Sequence, residues 1–149
     1  MTQSRRLGPG EGALWRTAVH ILVASKDRDD ELISETEAEA ALTDDRCYLL
    51  ICELEGQPAG LLSAYRFPDL EAGGLLVYLY DIEVAVQQRR RSLGSQLIRL
   101  LVTLCDADDV DLIWAGTERS NTPARGLFDK EGAVLSGDAY CEYEWLLED

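Results

Sequence analysis

Two carboxylates, Asp81 and Glu83, stand two residues apart in an apolar run that leads into Arg89-Arg90-Arg91-Ser92-Leu93-Gly94-Ser95. A basic, small-residue turn that opens a helix is a natural seat for phosphate. The first backbone N–H groups of a helix lack intrahelical partners, and the helix dipole favours an anion there. Ser92, Gly94 and Ser95 are small enough for a pyrophosphate to approach the backbone, and Arg89, Arg90 and Arg91 add countercharge. Residues two apart on a strand share a face, so Asp81 and Glu83 are expected to look into one cleft unless a bulge intervenes. A carboxylate in that place can hold an ammonium group and then take its proton, directly or through water. The chemistry suggested is amine deprotonation beside a phosphate-bearing cofactor.

The elements that must position these residues can be read from hydrophobic spacing. Leu75 to Val86 forms the long strand that carries the carboxylates, and Ser92 to Leu104 the helix after the turn. Upstream, Arg5 to Leu7 is a short strand, and Ala13 to Ala24 a helix with Leu14, Trp15, Ala18, Ile21 and Leu22 at helical spacing. Lys26 to Glu31 is a charged loop, followed by a helix over Ser34 to Leu42 in which Ser34 and Glu37 make a capping box. Tyr48 to Leu54 and Ala59 to Arg66 form a hairpin around Glu55-Gly56-Gln57-Pro58, and Phe67 to Gly74 is a loop. Leu112 to Ala115 reads as a buried strand, Pro123 to Lys130 as a helix and Tyr140 to Leu147 as a final strand. The chain of 149 residues is long enough for one full core, so a single domain over 1–149 with a mixed α/β fold is expected, its helices packed on a central sheet.

Charge and composition exclude several classes of function. A net charge of −14 makes nucleic acid a poor partner and favours a cationic substrate, which an acidic cleft concentrates. Asp69, Glu71, Glu142 and Glu144 can line such a cleft. No apolar run reaches the roughly 18 residues of a membrane span, and no secretory leader is visible, so a cytoplasmic protein is expected. Cys47, Cys52, Cys105 and Cys141 have no metal-ligand spacing and read as buried reduced thiols. His20, the only histidine, lacks partners for a catalytic triad or a zinc site, and no metal is expected. Asp106 to Asp111 lacks the central glycine of a calcium loop and reads as a solvated connection. Trp15, Trp114 and Trp145 read as core or rim residues. A Walker loop and a dinucleotide fingerprint are both absent.

Val84 to Leu97 resembles the signature of the GNAT acetyltransferases, in which a strand ends in V-x-V/P and Q/R-x-x-G-x-G/A opens the next helix. Arg89, Ser92 and Gly94 fall on the three defining positions, with Ser92 in place of the usual first glycine. Asn121 to Gly132 resembles the family's N-x-x-A-x-x-L-Y-x-x-x-G helix. More closely, Tyr78-Leu-Tyr80-Asp81-Ile-Glu83-Val84, Ala64-Tyr65 with Pro68, and Thr122-Pro123-Ala124 through Lys130 and Gly132 are similar to segments of the aminoglycoside 3-N-acetyltransferases of the gentamicin/fortimicin type. The similarity covers roughly residues 47 to 136.

The resemblance implies a mostly antiparallel, twisted central sheet of six to seven strands flanked by about four helices, and acetyl-CoA as cofactor. Its pantetheine would run along Ile82, Val84 and Val86 and past Asn121 and Phe128, with the pyrophosphate on Arg89, Arg90, Arg91, Ser92, Leu93, Gly94 and Ser95. The acceptor would be an aminoglycoside amine, probed by Tyr65, Asp69, Tyr80, Asp81, Glu142 and Glu144. Asp81 takes the substrate-facing role from the resemblance, whereas Glu83 falls where those enzymes carry alanine. Direct transfer in a ternary complex follows from the lack of a nucleophile beside a base, and dimers are common in enzymes of this kind. Phe128 replaces a tyrosine whose hydroxyl protonates the leaving thiolate, so water, another group or unassisted departure serves here. Two other readings stay open: the same chemistry on a polyamine or a peptide N-terminus, and a catalytically weak acyl-CoA-binding protein.

Overall fold

The computed structural model describes residues 2–23, 32–86, 92–137 and 141–147. It divides into two compact units, residues 1–116 and 117–149.

The first unit runs β1 (Thr2–Arg6), α1 (Gly12–Leu22), α2 (Glu35–Leu42), β2 (Cys47–Leu54), β3 (Gln57–Pro68), β4 (Leu75–Val84), α3 (Leu93–Ala107) and β5 (Leu112–Ala115). The strands form one sheet in sequence order, antiparallel except for the parallel β4–β5 pair. The β2–β3 hairpin turns on Glu55 and Gly56, whose φ values of 54° and 81° give the twist that matches two antiparallel strands. Gln57 and Pro58 therefore belong to β3 and not to the turn. Pro58 is accommodated because the register slips there: Cys52 pairs with Gly60 and Glu53 with Pro58, leaving Ala59 as the extra residue.

Alternation sorts the sheet's side chains onto two faces. On one, Leu49, Ile51 and Leu61 pack with Trp15, Ala18, Val19 and Leu22 of α1 and with Ala38 and Leu42 of α2. On the other, Leu50, Cys52, Gly60 and Leu62 lie opposite α3, whose Leu93, Leu97, Leu101 and Cys105 recur at helical spacing and are all buried. Contact is close: a Cβ added at Gly60 would stand 3.1 Å from Leu97 Cδ1. The predicted capping box is present, with Ser34 Oγ accepting from Glu37 N and Glu37 Oε1 from Ser34 N. The α1 N-terminus is served from a distance, since Glu39 Oε1 accepts from Gly12 N at 2.6 Å and Glu39 Oε2 from Gly10 N at 3.0 Å. His20 lies in the last turn of α1 and is exposed.

The stretch after α3 is more than a solvated connection. Tyr48, fully buried, donates its hydroxyl to Asp108 Oδ2 at 2.7 Å, and Arg66 donates to both Tyr48 Oη and Asp108 Oδ2. Asp111 Oδ2 accepts from Leu75 N at 2.9 Å, tying the start of β4 to the approach of β5. Among the described residues no cluster of His, Cys, Asp or Glu could hold a metal ion. Burial first, then the hydrogen bond to Asp108, pushes the Tyr48 hydroxyl up to about 12 from 10.0, and burial pushes the Cys105 thiol up to about 11. A raised folded-state pKa means that the folded protein holds the proton more tightly. The stabilisation is complete below pH 10 and is lost as pH rises toward 12. Tyr48→Phe leaves the Arg66–Asp108 pair in place and is expected to cost about 1 kcal/mol at neutral pH. Thermal unfolding should show a smaller alkaline loss in the variant than in the wild type; equal losses would refute the assignment to Tyr48.

The second unit contains α4 (Thr122–Lys130), with Asn121 Oδ1 capping Ala124 N. Two sequence expectations fail. The described part of the predicted final strand, residues 141–147, has no regular structure, so the sheet has five strands among the described residues instead of six to seven. An alternating pattern makes a strand only when a neighbour takes its backbone hydrogen bonds, and none of the described residues does so; Trp145 is 83% exposed, not core or rim. β5 forms where expected but is an edge strand, not a buried one, with Leu112 55% exposed. The thiols also divide: Cys52 and Cys105 are buried, Cys47 is half-buried and Cys141 exposed. Tyr140, Ala24 and the Lys26–Glu31 loop lie outside the described residues. No helix among the described residues is long and apolar enough to cross a membrane.

Candidate active site

The carboxylate end of β4 is set by two breaks in strand pairing. Ala64 pairs with Leu79 and Ser63 with Asp81, so Tyr80 is an extra residue, a β-bulge immediately before Asp81. On the other side, β5 pairs with β4 only along Leu76–Leu79. From Tyr80 to Val84, β4 thus has β3 on one edge and, among the described residues, no strand on the other. An open strand edge presents backbone donors and acceptors to any extended, amide-bearing partner.

The bulge precedes both carboxylates and leaves their alternation intact: Asp81 lies opposite Ser63 and Glu83 opposite Leu61, on the same face. Their environments differ. Asp81 is partly exposed, whereas Glu83 is only 7% exposed, opposite a Leu61 that packs with α1 and α2. The two carboxylates thus share a face, as the spacing predicts, and differ in exposure, with Asp81 the more accessible.

Arg89, Arg90 and Arg91 lie outside the described residues. Beyond them, Ser92 opens α3 with φ 61° and makes no side-chain cap, while Leu93, Gly94 and Ser95 are buried. A left-handed backbone is least strained at glycine, the residue that the resembled motif has at this position. Ser92→Gly is expected to raise the unfolding free energy by up to about 1 kcal/mol. The left-handed strain of about 1–2 kcal/mol is relieved but is partly offset by glycine's greater backbone entropy. Urea unfolding that finds the variant less stable would show that the serine side chain contributes more than its strain costs.

Other predicted residues have mixed placements. Ile82 and Val84 are half-buried on the open-edged stretch and Val86 is 69% exposed. Tyr65 and Tyr80 are exposed. Asp69 Oδ1 accepts from the backbone N–H groups of Glu71 and Ala72, which lower its pKa, so this carboxylate builds its own loop. In the second unit, Phe128 is half-buried, and Glu142 and Glu144 are exposed.

The sequence reading missed Ser63, which faces Asp81 across the strands, and the rings of Phe67, Tyr78 and Trp114. Two-residue spacing of aromatics in Tyr65/Phe67 was the available signal. A cavity of about 590 Å³, lined by Phe67 together with Arg6, Arg46, Arg66 and Asp108, includes neither Asp81 nor Glu83.

These features, an open-edged strand bearing a carboxylate and a helix start at Ser92 without a side-chain cap, lie next to one another in the chain. The chain belongs to the GNAT acetyltransferase family, which matches residues 14–133. Among solved structures the fold is similar to the aminoglycoside acetyltransferase HMB0005 from an uncultured soil metagenomic sample, with 22% identity, a TM-score of 0.87 and 99% coverage of each chain. It is similar also to meta-AAC0020, an aminoglycoside acetyltransferase from an uncultured soil metagenomic sample in complex with sisomicin, at 14% identity and TM-score 0.87, covering 98% of this chain and 97% of that one. AAC(6')-Iy, in complex with the bisubstrate analogue CoA-S-monomethyl-acetylneamine, matches at 18% identity and TM-score 0.79, covering 98% of this chain and 99% of that one. At such identities these are likenesses of fold.

Proposed function

We propose that this protein, a single domain over 1–149, acetylates an amine of an aminoglycoside from acetyl-CoA, the amine being the 3-amino group of the deoxystreptamine ring. The observation that carries the proposal is the end of β4, where pairing with β5 stops after Leu79 and Asp81 stands partly exposed beside the open edge. The residues present fit the cofactor: an extended amide-bearing arm suits the Tyr80–Val84 edge, and the uncapped first turn at Ser92, Leu93, Gly94 and Ser95 suits a pyrophosphate. Ile82, Val84 and Val86 would hold the arm, and Arg89, Arg90 and Arg91 would add charge to the phosphate seat. When bound, acetyl-CoA supplies the thioester acyl group. Roles for Asn121 and Phe128 beside the thiol rest on the resemblance alone.

Asp81 performs two steps. It holds the acceptor ammonium by charge, then accepts a proton so that the amine lone pair is free to attack. Holding and deprotonating oppose each other, since a carboxylate also stabilises the ammonium; positioning of the two reactants offsets that. A net charge of −14 favours an acceptor with several ammonium groups, and the sisomicin bound by meta-AAC0020 is of that kind. Tyr65, Tyr80, Glu142 and Glu144 remain acceptor-side candidates. One observation favours a second reading, a slow acyl-CoA binder: Phe128 carries no hydroxyl to protonate a leaving thiolate.

Incubation with acetyl-CoA and sisomicin, followed by mass spectrometry and NMR of the product, tests the proposal. A monoacetylated 3-amino group is expected. Acetylation at another amine would overturn the regiochemistry, and recovery of unmodified drug would overturn the substrate.

A further inference from the structure

Of the chain's three Trp, six Tyr and two Phe, five side chains form one continuous strip on the open part of the sheet face that carries Asp81. Tyr65 and Phe67 stack with centroids 6.3 Å apart, Phe67 meets Trp114 edge-on at 5.4 Å, Trp114 lies 5.2 Å from Tyr78, and Tyr78 lies 6.4 Å from Tyr80. The strip is not a core: Tyr65 is 39%, Trp114 37% and Tyr80 64% exposed, while α1 and α2 cover the part of the face around Leu49, Ile51 and Leu61.

Resting on the reading of Asp81 as the amine-holding carboxylate, we propose that Phe67, Tyr78 and Trp114 form a platform on which a saturated, ammonium-bearing ring of the acceptor lies, so that this face selects ring amines over linear polyamines. The register supplies the geometry. Tyr78 faces Tyr65 and Asp81 faces Ser63, and Ser63 and Tyr65 are alternate residues of β3, a separation of roughly 7 Å along the strand. One six-membered ring with an amine on its rim spans such a gap. The charge supports it as well, because ring π-faces are negative and attract both ammonium groups and the C–H face of a polyammonium ring. The strip already holds one cation, the Arg46 guanidinium 5.5 Å from the Tyr65 centroid. A flexible chain such as spermidine presents no flat face and loses more freedom when immobilised, so it gains less from the platform.

Calorimetric titration of wild type, Trp114→Ala and Trp114→Phe with sisomicin and with spermidine tests the proposal. Trp114→Ala is expected to weaken sisomicin binding about tenfold, Trp114→Phe to restore most of it, and spermidine affinity and the acetyl-CoA KM to stay unchanged. Phe67→Leu removes a second ring independently and should act in the same direction, should Trp114→Ala fail to fold. Equal losses for both ligands, no loss in folded variants, or no sisomicin binding by wild type would overturn the platform. Ring-dependent binding without acetyl transfer would leave the platform standing and sink the acetylation reading.

Discussion

Asp81→Asn is expected to lower kcat for aminoglycoside acetylation by about a hundred- to ten-thousand-fold, the range a positioned general base contributes. Asparagine keeps the size and a hydrogen-bonding oxygen but neither attracts an ammonium nor accepts its proton, so the acceptor KM should rise too. Acetyl-CoA KM should stay near wild type, because the proposed cofactor seat is the strand edge and the α3 turn. Glu83→Gln makes the informative contrast. Glu83 is buried opposite Leu61, so its replacement should lower stability more than turnover. A large fall in kcat for Glu83→Gln beside a mild one for Asp81→Asn, in steady-state assays of folded protein, would reverse the two roles.

Leu97→Ala is expected to cost about 2–5 kcal/mol in urea unfolding. Leu97 is fully buried on the inner face of α3, close enough to Gly60 that an added Cβ would come within 3.1 Å of its Cδ1. Its removal opens a void at the point where α3, the helix proposed to seat the cofactor phosphates, is anchored to β3. Gly60→Ala alone overpacks that point and is expected to destabilise by about 1–3 kcal/mol. In the double variant the added methyl enters the vacated space, so the combined loss should be smaller than the separate losses together. Strict additivity would mean that the two residues do not share the contact described.

What the sequence could reveal was governed by locality. The capping box of Ser34 and Glu37 is written within four residues, and it forms as expected. The α3 stripe of Leu93, Leu97 and Leu101 repeats at the helical period and is buried as that period requires. Pairings between distant segments were not legible. Glu39 capping α1 spans 27 residues and the Tyr48–Asp108 bond 60. Asp81 and Glu83 were correctly placed on one strand. Their difference in exposure is a tertiary fact with no trace in a two-residue spacing. Tyr80's bulge depends on the register of β3, which the β4 sequence cannot state by itself. Residues 141–147 carry a strand's alternation without a paired neighbour among the described residues, and β5 carries a buried strand's composition at the edge of the described sheet. In both cases composition described what the segment could bury, and pairing decided what it became.

The most direct measurement is CoA-thiol release from acetyl-CoA with gentamicin, sisomicin, kanamycin, spermidine and a set of peptides as acceptors. Acetyl transfer to a ring amine deprotonated by Asp81 predicts rapid, acceptor-dependent release with the aminoglycosides. Release with spermidine or peptides alone, or none with any acceptor while CoA still binds, would contradict it.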